Sequence, residues 1–338
     1  MLRKITTFIL HCRLEDVMAA GFSLALLLFF LTRRVFHTFE LNGHDIVFIL
    51  LPAAVLAVKS LLGILFAPDG GENQEASTGK YLASFFRPLA EIFRDWFPFF
   101  LLSACYYALF TNLLLRVNPS TADPVLSRID AALLGNQASF LLERWINPWT
   151  TDFFNLVYFS YIFSLPVVAV YFYTAGTKPV FRRVMMGYLT LMLMGISSYL
   201  LVLAIGPGSY FAGHFTRDLN GHAVSRSVDY IIRNGRVAYD CFPSLHVGIP
   251  LLLSLYLRDY CRRLFIPALA YVVLMCFATT YLRYHYLVDV LAAFVYAPVA
   301  YWLNDFLLAR WPGESIIAAA TVSSANPKNN LTADAEPT

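Results

Sequence analysis

Long apolar blocks alternate with short polar ones along the chain. The blocks run near twenty residues, the length an α-helix needs to cross a hydrocarbon layer. They predict eight helices, at 14–33, 44–66, 96–117, 153–173, 183–205, 243–257, 264–283 and 286–308. In lipid only helices or a closed barrel satisfy their own backbone, and these runs are too long for barrel strands. Segment 125–146 mixes Arg128, Asp130, Glu143 and Arg144 into apolar sequence and reads as an amphipathic stretch at the interface. The expected fold class is therefore all-α, a polytopic membrane protein of about eight transmembrane helices with an interfacial amphipathic segment.

The polar stretches divide the chain. Residues 67–79 (APDGGENQEASTG) read as a soft loop, and the Ser-, Asn-, Ala- and Pro-containing end as a disordered tail. The expected organisation is an N-terminal two-helix membrane segment with a polar inside loop (1–93), a six-helix catalytic core (94–310) and the tail (311–338). Lys and Arg set orientation. With the N-terminus inside, inside segments hold a modest excess of them, and the short connection RDYCRR (258–263) is densely basic. No A-x-A-like site follows the Val17–Leu31 run, so a cleaved signal peptide is not expected.

Composition agrees with this reading and excludes others. Hydrophobic residues make up 58% and charged residues 14%, against about 25% charged in soluble domains. The net charge is +3, without a basic stripe interleaved with aromatics, so nucleic acid is not an expected partner. Cys12, Cys105, Cys241, Cys261 and Cys276 form no C-x-x-C pair, which argues against a zinc or redox site. Only Cys241 falls in an outside loop, so no structural disulfide is expected.

Candidate chemistry gathers at three places that span parity assigns to one membrane face. They are GPGSYF (206–211), CFPSLHVG (241–248) and YLRYHYLVD (281–289). Pro243 suits a first helical turn. Ser244 and His246 then lie in or beside that turn, where free N–H groups suit a phosphate; a Ser cap with an interfacial His is the alternative. His285 and Asp289 are four apart and share a helix face. The carboxylate can accept Nδ1–H of the imidazole and leave Nε2 as nucleophile or base; an interfacial His with a capping Asp is the alternative. Ionisable groups inside spans favour the functional reading.

These groups can share one reaction. His285 attacks phosphorus, Asp289 orients it, and His246 acts as acid and then base. Ser244 and Arg283 stabilise the phosphoryl oxygens, Arg283 only if the chain turns there. No H-E-x-x-H or D-x-D motif is present, and neither a metal nor another cofactor is expected. Asn155, Tyr158 and Tyr161 recur at about helical spacing and read either as substrate contacts in the bundle interior or as interfacial aromatics. Tyr210, in GPGSYF, is a further candidate substrate contact.

PSLH (243–246) and HYLVD (285–289) resemble the second and third motifs of the type 2 phosphatidic acid phosphatase superfamily. GPGSYF, CFPSLHV and YLRYHYLVD look most like its inositol phosphorylceramide synthase-like branch. The resemblance covers roughly residues 94–308. It implies a six-helix core, lipid phosphoryl or phospho-headgroup transfer through a phosphohistidine, and a site on the extracytoplasmic or lumenal face of an integral membrane protein. The phosphatases carry Ser-Arg in the third motif, with Arg six residues before His; here Thr279 and Thr280 follow in its place, as in the transferase branch. Lys80, Arg87 and Pro88 match the spacing of the first motif, K-x6-R-P, but parity puts them on the opposite face, so the missing cations are sought among Arg116, Arg128 and Arg144.

The expected function is a membrane lipid phosphotransferase. Its donor is a phospholipid or polyprenyl phosphate, its acceptor a hydroxyl lipid or sugar, and the bilayer its surroundings. The alternative is a lipid phosphate or isoprenyl diphosphate phosphatase using the same triad.

Overall fold

The computed structural model describes residues 13–32, scattered positions between 88 and 103, 120–235 and 239–311. The predicted span 44–66, most of 96–117, the loop 67–79 and the tail from 313 lie outside the described residues, as do Lys80, Arg87 and Arg116. The chain divides into two compact units, residues 1–113 and 114–338. The first holds α1 (Leu14–Thr32), matching the first predicted helix.

The second unit holds α2 (Asp123–Leu134), the short α3 (Ala138–Leu141), a 3-10 turn (Glu143–Trp145), α4 (Pro148–Ala175), α5 (Lys178–Leu201), α6 (Pro207–Tyr210), α7 (Ala223–Gly235), α8 (Leu245–Tyr260), α9 (Arg262–Tyr281) and α10 (Leu287–Arg310). No β-strand occurs among the described residues; one isolated bridge joins Ala204 and Asp240. The fold is all-α. Among the described residues four helices, α4, α5, α9 and α10, are long and apolar enough to cross a membrane.

Local signals explain where the helices begin. Asn147 accepts from Trp149 and Thr150 N–H while Thr150 Oγ1 accepts from Asn147 N–H, a capping box that starts α4 five residues before the predicted span. Thr177 accepts from Val180 N–H and starts α5 likewise early. α8 begins at Leu245. Pro243 follows a cis Phe242–Pro243 bond and stands outside the helix rather than in its first turn.

Burial sorts the helices. α5 is enclosed along most of its length, from Val180 to Tyr199, and α8 from Leu245 to Leu257. α8 packs against α9, α10, α5 and α4. The outer helices turn large apolar groups outward: Leu156, Ile162 and Val167 on α4, Ile266 and Val273 on α9, Val295, Trp302 and Phe306 on α10. In water such faces would be unfavourable; against lipid they are ordinary. The same inversion marks α2, whose Val125, Ile129 and Leu133 point out while Asp123 and Asp130 are buried inward. The helix thus turns an acidic face, Asp123 and Asp130, to the protein and leaves Arg128 exposed.

That polar face positions the site. Asp130 accepts from the N–H groups of Leu287 (2.7 Å) and Val288 (2.9 Å), capping α10 from another helix. Asp123 accepts from Ile205 and Gly206 N–H, both at 3.0 Å, and from the Tyr286 hydroxyl at 2.9 Å. At the other end of the bundle, Arg183 of α5 binds Asp305 of α10 through Nε (2.7 Å) and Nη2 (2.5 Å) and Tyr260 of α8 through Nη1. Tyr301 donates to Asp259 beside them.

Candidate active site

The three predicted stretches meet at one end of the helices. The glycine loop lies against the turn before α10: Gly208 N–H donates to the Arg283 carbonyl at 2.8 Å. Gly206 has φ +82 and ψ 160, a region essentially restricted to glycine. A Cβ there would stand 2.6 Å from the Tyr284 carbonyl oxygen. The turn itself closes on α9, where the Thr279 carbonyl accepts from Tyr284 N–H (2.9 Å) and His285 N–H (3.2 Å). Arg283 sits at its corner with φ +66.

His285 enters from this turn, two residues before α10, and is 2% exposed. His246 enters from the first turn of α8. His285 Nε2 lies 3.2 Å from His246 Nδ1. His285 Nδ1 is 2.8 Å from the Cys241 carbonyl oxygen and 3.5 Å from Asp289 Oδ2. A carbonyl only accepts, so His285 Nδ1 carries a proton. Neutral His285 then presents a lone pair at Nε2, and His246 must donate from Nδ1. In neutral His246, Nε2 then accepts from the Tyr158 hydroxyl, 2.9 Å away; in the imidazolium it donates to it. The carbonyl thus fixes the tautomer of His285, whose nucleophilic lone pair faces the partner histidine.

Asp289 is fully buried, and its Oδ1 has no hydrogen-bond partner. Its Oδ2 accepts from Tyr286 N–H at 2.8 Å and from the Cys241 thiol at 2.9 Å. The carboxylate thus stands behind His285 at ion-pair distance, while the shorter Nδ1–H bond goes to a backbone oxygen. Ser244 is buried, makes no side-chain cap, and its Oγ is unpartnered. Its N–H donates to the Asp289 carbonyl at 3.1 Å, which ties α8 to α10.

The chain does turn at Arg283, but one of its guanidinium nitrogens, Nη2, is already engaged. Nη2 donates to Glu143 Oε1 (3.1 Å) and to the Arg217 carbonyl (2.5 Å), and the group stacks over Phe215 at 3.7 Å. Nε is buried without a partner. Burial lowers the affinity of this guanidinium for its proton, with Glu143 opposing. Arg128 is turned to the Pro124 carbonyl and Arg144 to the Trp145 ring, both exposed.

Among the four candidate substrate contacts, Tyr158 is inside the site, its ring stacked on His246 (4.7 Å) and Tyr284 (4.6 Å). The Tyr161 ring also packs on His246, with centroids 4.6 Å apart. Asn155 donates to Thr151 O and Ser225 Oγ, both at 3.0 Å, joining α4 to α7, and keeps Oδ1 buried and unpartnered. Tyr210 is exposed and packs on Phe211.

Sequence reasoning missed Cys241, Asp123 and Asp130. The two acids are seven apart, which places them on one helix face, a signal present in the sequence. The contact of Cys241 with Asp289 left none. Cys241, His285 and Asp289 bring Sγ, Nδ1 and Oδ2 within 4.8 Å, the group of described residues close enough to share a metal ion. Their atoms instead satisfy one another, since the thiol proton serves Asp289 and the Nδ1 proton serves the Cys241 carbonyl.

With two histidines aligned and a carboxylate behind one of them, the comparisons with known proteins fall on the same region. The sequence pattern of the PAP2 superfamily matches residues 125–303, more than half of the chain, and the chain belongs to that superfamily. Inositol phosphorylceramide synthase catalytic subunit aur1 of Schizosaccharomyces pombe is similar, 25% identical over 223 residues that cover 57% of this chain and 51% of the relative. The match spans about half the length of that curated relative. No solved structure matches the chain significantly.

Proposed function

We propose that the protein is a membrane lipid phosphotransferase that moves a phospho-headgroup from a lipid donor to a hydroxyl acceptor through a phosphohistidine. The observation that carries the reading is the 3.2 Å approach of His246 Nδ1 to the lone-pair nitrogen of His285. The similarity to an inositol phosphorylceramide synthase supports transfer over hydrolysis.

The phosphoryl group enters between the two rings. His285 Nε2 attacks phosphorus, the bond to the leaving lipid oxygen breaks, and His246, entering as the imidazolium, gives its Nδ1 proton to that oxygen. His285 becomes a cationic phosphoimidazole, and Asp289 stabilises the new charge from behind Nδ1. His246 is left with its proton on Nε2 and a lone pair at Nδ1. The Tyr158 hydroxyl both donates and accepts, so it follows His246 through both states. His246 Nδ1 then takes the proton of the acceptor hydroxyl, the acceptor oxygen attacks phosphorus, and the P–N pair returns to Nε2. The buried Ser244 hydroxyl and Arg283 Nε are the unpartnered donors nearest in sequence to the two histidines, and we assign them to the phosphoryl oxygens. Asn155 and Tyr210 are assigned to the lipid substrates. The site is assigned to the extracytoplasmic or lumenal face.

Purified full-length protein in mixed micelles with phosphatidylinositol and a fluorescent short-chain ceramide tests this. The expected products are diacylglycerol and a fluorescent phosphoinositol-bearing lipid. A polyprenyl phosphate donor and a sugar acceptor form the second arm. Phosphate release from phosphatidic acid, with no transfer at any acceptor concentration, would assign the site to a phosphatase instead.

A further inference from the structure

Cys241 touches both members of the His285–Asp289 pair, through two different atoms. Its carbonyl takes the Nδ1 proton of His285. Its Sγ lies 2.9 Å from Asp289 Oδ2, 3.4 Å from the Tyr284 carbonyl and 3.8 Å from His285 Nδ1. The residue is 3% exposed and packs with Leu126, Ala204 and Tyr286.

We propose that the Cys241 thiol is a positioning residue for the nucleophile: by donating its S–H to Asp289 Oδ2, it holds the carboxylate against the Nδ1 edge of His285. The consequence for catalysis rests on the phosphohistidine reading; the hydrogen bond does not.

A buried carboxylate needs donors to stay where its charge is useful. Asp289 has few. Oδ1 has no partner, and the Tyr286 N–H that reaches Oδ2 comes from the start of the same helix, α10. The thiol is the donor that arrives from another segment, the strand of chain leading into α8. It therefore sets Asp289 relative to the element that carries His246 as well as to its own. A donor must keep its proton, and here burial first and the Asp289 charge second push ionisation of the thiol well above the ordinary range. Filling space is the competing role, because Cys is a small hydrophobe as well as a weak donor.

Two substitutions separate these roles. Cys241→Ser keeps a donor and loses size; Cys241→Val keeps the bulk and loses the donor. The full chain, labelled with [15N]histidine in detergent micelles, gives a readout that needs no substrate. The imidazole signals of His285 are those lost in His285→Ala. In Cys241→Ser they should stay closer to the wild-type positions than in Cys241→Val. Signals in Cys241→Val that lie as close as those in Cys241→Ser, in protein that elutes as the folded species, would overturn the proposal and make the thiol a filler. If Cys241→Val does not fold, Cys241→Ala takes its place as the donor-free variant.

Turnover in the assay above adds a second comparison. Cys241→Val should lower kcat roughly tenfold with KM little changed, and Cys241→Ser should recover most of it. If His285→Ala retains turnover, the phosphohistidine reading has failed, and the histidine spectra still decide the thiol. If His285→Ala is inactive while the Ser and Val variants coincide, the thiol proposal alone has failed.

Discussion

The Cys241 carbonyl oxygen lies 2.8 Å from His285 Nδ1, and that contact turns the lone pair of His285 toward His246, whose other nitrogen reaches the Tyr158 hydroxyl. The histidine on the turn before α10 is thereby given the lone pair, and the histidine on α8 the proton that faces it. The two rings are not interchangeable, because His285 backs onto a carbonyl and a carboxylate while His246 stacks on Tyr158.

His285→Ala should abolish both turnover and the phosphoenzyme. His246→Ala should slow turnover by about 10²–10⁴-fold, the usual contribution of a positioned acid–base group, while a donor with a better leaving group still labels His285. Rapid quench with a 32P-labelled donor, followed by an alkaline-stability test of the labelled protein, measures both. Label retained in His285→Ala would remove His285 as the nucleophile.

Tyr158→Phe deletes one hydrogen bond to His246 and keeps the stacked ring. A net loss of about 1 kcal/mol corresponds to roughly fivefold in kcat, with KM moving little. Tyr158→Ala also removes the ring between His246 and Tyr284, so KM should rise. Steady-state kinetics of the two variants separate orientation of His246 from contact with substrate. Equal KM values in both would assign Tyr158 to orientation alone.

Gly206→Ala should lower stability by about 1–3 kcal/mol, the cost of a side chain in this backbone region, aggravated by the 2.6 Å approach to Tyr284. Gly213 offers a control. It has φ +87 but open space around the missing Cβ. Thermal unfolding in micelles should show a larger drop for Gly206→Ala than for Gly213→Ala. Equal drops would mean that the close packing of the glycine loop on the turn before α10 contributes nothing.

Arg183→Ala should destabilise the bundle by about 2 kcal/mol, between the values for exposed and buried pairs, because it leaves Asp305 without its cation and Asp259 with Arg258 alone. Its side chain is 19% exposed, so water tempers the loss. The network lies at the end away from the histidines, and kcat per folded molecule should be unchanged. Unfolding midpoint and active-site-normalised turnover check this together. A fall in kcat at full folding would show that the two ends are coupled.

The apolar blocks were legible because lipid demands them, and the elements at 148–175, 178–201, 262–281 and 287–310 lie where hydropathy put them, give or take a turn. Helix starts were less legible. Asn147 with Thr150, and Thr177, are local caps that hydropathy does not weigh, so α4 and α5 begin earlier than predicted. The i, i+4 spacing pointed to His285 and Asp289 correctly as neighbours. It also suggested that the carboxylate takes the Nδ1 proton, whereas a backbone oxygen of residue 241 stands closer.

The sequence by itself determined the all-α membrane fold, the face-sharing of GPGSYF, PSLH and HYLVD, and the residue types that phosphoryl chemistry requires. These are consequences of hydropathy, span parity and short-range spacing. Only the tertiary structure decided which nitrogen of His285 carries its proton, that Arg283 Nη2 is held by Glu143 and the Arg217 carbonyl, and that Cys241 and Tyr158 flank the histidine pair. Those outcomes depend on contacts between residues tens of positions apart, and directional bonds at 3 Å leave no periodic trace in a chain.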